Sequence, residues 1–391
     1  MNSTRSTDTV TRQPSKPTSS LPRVVIDLEK LRHINCGLGR FSLYLARELL
    51  ARSDNFFEPI FFIPDNSEHY FKNVTTTRYS CIRVHPWHKE CFQRWIRPIA
   101  RHFHTAHRPA LWHVTHQTSK YLPFDNRVPV ILTVHDLNFL HTIDSSHHPE
   151  RIRRHLDHVQ KLVNRSHTIV TDSQFVADDL ARHIDVSSKP IHVIPLGLTK
   201  SNVVGTDRPH WMPEGPFLFS IGNFLQHKNF HVLIKMMKQL PHYKLIIAGK
   251  KETPYGKTVI RERDIAGLTD RIILPGVIND SERHWLFNNC DVFVFPSLTE
   301  GFGFPVLEAM QFGKPVVMSN LTSLPEIAGD NGFFFPSYKA TEMSKAVLDA
   351  AKAFRNNPSL VIKSRQHAES FSWQATAQQY ADIYRTVLKR I

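Results

Sequence analysis

Val292-Phe-Val-Phe295-Pro-Ser-Leu-Thr-Glu300-Gly-Phe-Gly-Phe-Pro305-Val-Leu-Glu308-Ala-Met310 runs from an unbroken apolar stretch through glycines into a segment with Pro305 at its start. The run 292–295 reads as a buried strand, and Pro305 suits the first position of a helix, where a missing N–H costs nothing. Strand, glycine-rich turn and helix start together aim free main-chain N–H groups at one point, a ready site for phosphate. Glu300 then lies in the loop and Glu308 about one turn into the helix. Two carboxylates beside an anion site make sense as acceptors for hydroxyls, as on ribose and on a sugar. The plain alternative is a capped helix with two solvated glutamates.

Outward from this stretch, strand, glycine loop and helix recur. Strands are expected at 21–27, 58–63, 111–114, 128–134 and 168–171, with helices at 41–50 and 175–183. After a Gly/Pro/Asp/Ser-rich stretch at 199–216, strands follow at 217–221, 244–248, 271–274, 291–295 and 315–318, with helices at 231–239, from 305, and through most of 340–389. Such alternation predicts mainly parallel sheets with helices on both faces. The two halves resemble each other as doubly wound units, so the default ligand site is the cleft between them, beyond the carboxyl ends of the strands.

Composition narrows the function classes. At 391 residues the chain has room for two substantial cores. No apolar run is long enough to span a membrane. Residues 1–20 are rich in Ser, Thr, Pro and Arg with no apolar region, so neither a signal peptide nor a folded segment is expected. Cys36, Cys81, Cys91 and Cys290 are scattered without CxxC spacing, and the 24 histidines contain no HExxH; neither a disulfide framework nor a metal is implied. The net charge of +14 is uneven, with the stretch 78–109 strongly basic, which favours anionic partners.

Several further blocks carry a resemblance. Glu300-x7-Glu308 is followed by Gly313-Lys-Pro-Val-Val-Met-Ser319 and Leu324-Pro-Glu-Ile-Ala-Gly329. Upstream stand Ser220-Ile-Gly222-Asn223-x4-Lys228-Asn229, Pro195-Leu-Gly197 and Pro275-Gly-Val277. In these the chain resembles the retaining GT-B glycosyltransferases of glycosyltransferase family 4, with a mannosyltransferase-like leaning. The resemblance implies an α/β GT-B fold, two Rossmann-like domains facing across a cleft. Its divisions are a tail at 1–20, an acceptor-side domain at 21–198, a linker at 199–216 and a nucleotide-sugar-binding domain at 217–372. A C-terminal helix, 373–391, is expected to pack back on the first domain.

The same resemblance implies roles. Lys228 would pair with the donor diphosphate, Glu308 would hold ribose hydroxyls, and Glu300 the hydroxyls of the transferred sugar. The main-chain N–H groups of Gly301, Phe302, Gly303 and Phe304 would line the pocket, with Gly37 and Gly39 approaching the phosphate from the first domain. His135, in Thr133-Val-His-Asp-Leu137, matches a histidine that faces the sugar; a satisfied core histidine is the alternative. Val277 would stand near the base, and Lys250 either near the base or simply facing water. Asn223 occupies a position where the family usually has arginine, so either a compensating cation stands in, with Arg40 and Lys250 as candidates, or the diphosphate is bound more weakly. Glu326 lies near a helix start and suits a capping role.

The implied reaction moves a sugar from a nucleoside diphosphate, GDP-mannose type favoured, to a glycan or lipid-linked acceptor in surface-polysaccharide or lipopolysaccharide assembly. Configuration would be retained, without a metal or other cofactor. A cytoplasmic enzyme is expected. The stripe Phe92, Trp95, Ile96, Ile99 and Phe103, interleaved with arginines, suits either its own core or an anionic membrane face. A GT-B nucleotide-sugar epimerase and a basic nucleic-acid binder are the competing readings.

Overall fold

A computed structural model of the chain describes residues 21–34, 36–52, 56–72, 79–85, 89, 108–141, 148–187, 189–199 and 208–390. Cys91, the 92–103 stripe and most of the basic stretch 78–109 lie outside the described residues, as do 200–207 of the expected linker.

Two fully parallel sheets form. The first carries β1 (Arg23–Asp27), β2 (Glu58–Ile63), β3 (Ser80–Arg83), β4 (Leu111–Val114), β5 (Val130–Val134), β6 (Thr168–Thr171) and β7 (Ile191–Val193), in the order β3-β2-β1-β4-β5-β6-β7. The second carries β8 (Phe217–Ile221), β9 (Lys244–Ala248), β10 (Ile272–Gly276), β11 (Val292–Phe295), β12 (Val316–Met318) and β13 (Phe333–Phe334), ordered β10-β9-β8-β11-β12-β13. Strand order reverses between β1 and β4 and between β8 and β11. At such a switch point neighbouring loops part and leave a crevice at the carboxyl edge. Strands β1, β2, β4, β5, β8, β9 and β11 read as apolar runs because both faces are covered by helices. Edge strands β3, β7 and β13 are short and partly exposed, and none was evident in the sequence.

The helices that position the cleft are α1 (Gly37–Ala51), α2 (Pro149–Arg165) and α3 (Gln174–His183) in the first domain. In the second they are α4 (His231–Met237), α5 (Pro254–Ile265), α6 (Asp280–Asn289), α7 (Phe304–Gln311) and α8 (Leu324–Ala328). The tail is three helices, α9 (Ala340–Asn356), α10 (Ser359–Glu369) and α11 (Trp373–Leu388), with Pro358 and Ser372 at the breaks.

Helix α11 packs on α1 and on the first sheet. Tyr384 Oη lies 2.6 Å from His113 Nδ1, and Tyr380 Oη lies 2.9 Å from Thr133 Oγ1, which itself contacts His113 Nε2 at 2.8 Å. One apolar cluster runs from Phe41, Leu45 and Leu49 of α1 through Trp373 and Tyr380 to Val306 and Met310 of α7, so a single core spans both domains. The segment ahead of β8 is also packed: Met212 is buried and Trp211 Nε1 donates to Glu282 of α6 at 2.8 Å.

Candidate active site

The loop between β11 and α7 is stitched to its surroundings. Leu298 N donates to His227 O at 2.7 Å, Ser323 Oγ to Glu300 O at 2.9 Å, and Glu300 N to Thr322 Oγ1 at 3.1 Å. Ser319 Oγ closes the base of the loop by donating to Ser297 O. The loop ends in Gly303, the N-cap of α7, at φ 104, a conformation that favours glycine. Among the described residues, the main-chain N–H groups of 301–304 donate to no internal acceptor. They remain available to an anion, beside the positive end of α7.

Glu300 is only 9% exposed, and its Oε1 accepts from both Lys228 Nζ and Ser297 Oγ at 2.5 Å. Lys228 reaches it from the short turn Gln226–Lys228, which Asn229 terminates in the left-handed region at φ 57. Asparagine tolerates that conformation better than most side chains. The neighbouring His227 is pushed down to about 4, by burial first and then by Lys228, so it is neutral at pH 7. Glu308, one turn into α7, accepts from Arg40 Nη1 of α1 at 3.3 Å through one oxygen and from Arg283 of α6 through the other.

The first domain meets this loop directly. A Cβ on Gly301 would sit 1.9 Å from His135 O, so only glycine allows the two backbones to approach this closely. Ser173 Oγ donates to Gly301 O at 2.8 Å, and Thr299 Oγ1 donates to Asn138 Oδ1 at 2.7 Å. Glu326, in α8, accepts from Gln174 N at 2.7 Å and Phe175 N at 3.2 Å. It therefore caps a helix, but α3 of the opposite domain rather than its own.

Lys228, Glu300, the 301–304 main chain and Glu308 thus line one side of the cleft. Gly37, at the start of α1, stands where an added Cβ would touch the Phe304 ring at 3.9 Å. The Phe302 ring is buried in the core, so only its main chain faces the site. Gly39 is glycine for a reason internal to its domain, since a Cβ there would lie 2.2 Å from His33 O.

His135 reaches the cleft with its main chain, while its ring is held inside the first domain. Nδ1 lies 2.6 Å from Asp172 Oδ2 and Nε2 donates to Thr115 O at 2.9 Å. A carbonyl can only accept, so Nε2 carries a proton. Burial works against charge on the ring, but Asp172 and the Thr115 carbonyl outweigh it and raise the His135 pKa. Asn223, Lys250 and Val277 end three adjacent strands and are exposed, Val277 at 74%. They form a rim, not a wall, in this domain arrangement.

Sequence reasoning passed over Arg283, Asp172, Ser173 and Asn138. The Asn279-x2-Glu282 capping box is legible and puts Arg283 in a first helical turn, but only the packing of α6 beside α7 aims it at Glu308. A cavity of about 540 Å³ between β7 and α11, lined in part by His192, Asp382 and Arg390, lies apart from these residues.

Two facing parallel α/β domains are the GT-B arrangement, and the family models give it the glycosyltransferase class. The chain belongs to glycosyltransferase family 4: the Glycosyltransferase Family 4 sequence model matches residues 36–201 and the Glycosyl transferases group 1 model residues 208–361. It is similar to O-antigen chain mannosyltransferase B of Escherichia coli, with 25% identity over 93% of this chain and 99% of that protein. Serotype-specific mannosyltransferase WbdA of Escherichia coli is 29% identical over 58% of this chain, which spans only 29% of that longer protein.

Among solved structures, sucrose-phosphate synthase from Thermosynechococcus elongatus aligns with a TM-score of 0.68 at 17% identity, over 95% of this chain and 100% of that one. Anabaena Alr3699/HepE in complex with UDP and glucose aligns with a TM-score of 0.68 at 16% identity, over 93% and 100% of the two chains. Likeness at this identity shows the shared fold. Among the described residues no helix is long and apolar enough to cross a membrane.

Proposed function

We propose that the chain transfers a hexosyl group, mannosyl favoured, from a nucleoside diphosphate of the GDP type to a hydroxyl of a glycan or lipid-linked acceptor in surface-polysaccharide assembly. The observation that carries this reading is the convergence of Lys228, Glu300, Glu308 and the open N–H groups of 301–304 on one wall of the cleft. The mannosyl leaning and the polysaccharide setting are supported by relatives named as mannosyltransferases of O-antigen chains.

The chemistry follows from charge. As the bond between the anomeric carbon and the phosphate oxygen breaks, negative charge grows on the leaving diphosphate and the sugar becomes cation-like. Lys228 and the 301–304 amides stabilise the first, in a cleft that excludes much of the water. Glu300 and Glu308 accept hydroxyl hydrogen bonds that fix the sugar and the ribose, so that the acceptor oxygen lies near the anomeric carbon. The new carbon–oxygen bond forms on the face the diphosphate leaves, and the leaving phosphate oxygen takes the acceptor's proton. Configuration is retained without a protein nucleophile, and no metal is required.

The acceptor would enter over the first domain. Arg151, Arg153 and Arg154 are exposed on α2 and suit an acceptor carried on an anionic lipid, with the enzyme peripheral to a cytoplasmic membrane face. Flotation with anionic vesicles at moderate salt tests this part; no binding would count against it.

The donor reading is tested by thermal shift with nucleoside diphosphates and their sugars, then by incubation of the preferred donor with and without acceptor. A shift with one base family and product only with acceptor are expected. Conversion of the sugar without acceptor would instead identify an epimerase.

A further inference from the structure

A diphosphate carries at least two negative charges at pH 7, yet Lys228, the cation beside the 301–304 turn, is already paired with Glu300. Its neighbour His227 is neutral, while Asn223 is uncharged and, like Lys250, turned to solvent at the rim. Two further cations among the described residues at the cleft wall are the arginines on Glu308. Arg283 belongs to the second domain and satisfies one carboxylate oxygen. Arg40 comes from the first domain, contacts the other oxygen at 3.3 Å and lies 3.9 Å from Asp280.

We propose that Arg40, carried across the cleft on the first turn of α1, is the second cation of the donor diphosphate site. The proposal rests on the donor reading above and adds a residue from the opposite domain. With Arg283 in place, Arg40 can leave Glu308 without stripping that carboxylate of charge compensation. Donor hydroxyls would then take the vacated Oε1. The Arg40 side chain is 31% exposed, and the same turn of α1 places Gly37 against Phe304, beside the open amides of 301–304. A planar guanidinium can engage two phosphate oxygens at once, which a lysine cannot. Diphosphate held between Lys228 and Arg40 would bridge the domains, so donor binding and cleft closure become one event.

The test is ligand-observed NMR and calorimetry on the full chain, with GDP, UDP, guanosine and uridine as probes. Arg40→Met is expected to weaken the diphosphate that binds by about tenfold or more, and its nucleoside by less than about twofold. Arg40→Lys should fall between. Equal losses for nucleoside and diphosphate would reduce Arg40 to a prop for Glu308 and overturn the proposal. No loss would overturn it as well. If the unaltered chain binds neither GDP nor UDP, the donor reading itself falls and this one with it; normal binding by Arg40→Met strikes Arg40 alone.

Discussion

Lys228 and Glu300 neutralise each other at 2.5 Å, and their separate contributions follow from that pairing. Lys228→Ala removes the charge that faces the diphosphate and should weaken nucleotide binding by about ten- to a hundredfold in calorimetry. Glu300→Ala frees Lys228 from a competitor, so nucleotide affinity should hold. Turnover should fall by about a hundredfold because the sugar loses its orienting acceptor. Equal and mild effects of both changes would mean that the site is misplaced. Gly301→Ala places a methyl 1.9 Å from His135 O and must push the two domains apart. It should lower kcat about tenfold or more, with little change in nucleoside affinity.

At the scale of single elements, α11 is the tie between the domains, and its polar contacts are pH-dependent. Burial pushes His113 down to about 3, against an ordinary value of 6.5. Below pH 6.5 the unfolded chain takes up a proton that folded His113 refuses, so stability is lost as the solution is acidified and fully present above that pH. Denaturant unfolding from pH 7 to 4 should show this, and His113→Gln should make the slope shallower by about one proton. Glu326 acts on another element: its carboxylate meets the N-terminus of α3 through Gln174 and Phe175. Glu326→Ala should cost about 1 kcal/mol of stability in the same unfolding experiment.

For the whole molecule, the cross-cleft contacts of Arg40, Ser173, Thr299 and Glu326 describe domains drawn together. Those of Arg40 and Glu326 lie near solvent, the kind that breaks and re-forms as domains move, whereas Ser173 and Thr299 are buried. Small-angle scattering should record a smaller radius of gyration with donor nucleotide than without, and Glu326→Ala should enlarge the free form. Chelation is a second whole-enzyme test: transferase activity should be unchanged by EDTA, because Lys228 and amide dipoles take the role of a metal. Loss of activity with recovery on adding a divalent cation would refute that mechanism.

Much of the architecture was legible locally. Apolar runs gave away the central strands, because a strand covered on both faces need not alternate. Glu300-x7-Glu308 exposed its loop and helix because Gly303 and Pro305 restrict the chain through their own backbone geometry. Edge strands β3, β7 and β13 went unseen, since runs this short and partly exposed carry no periodicity. Whether Glu326 caps its own helix and whether Arg40 reaches Glu308 were decided only when the domains met, while packing within one domain fixed the His135 ring and Arg283. Asp172, Gln174, Arg40 and Arg283 lie far away along the chain, and a side chain's partner depends on distance through space.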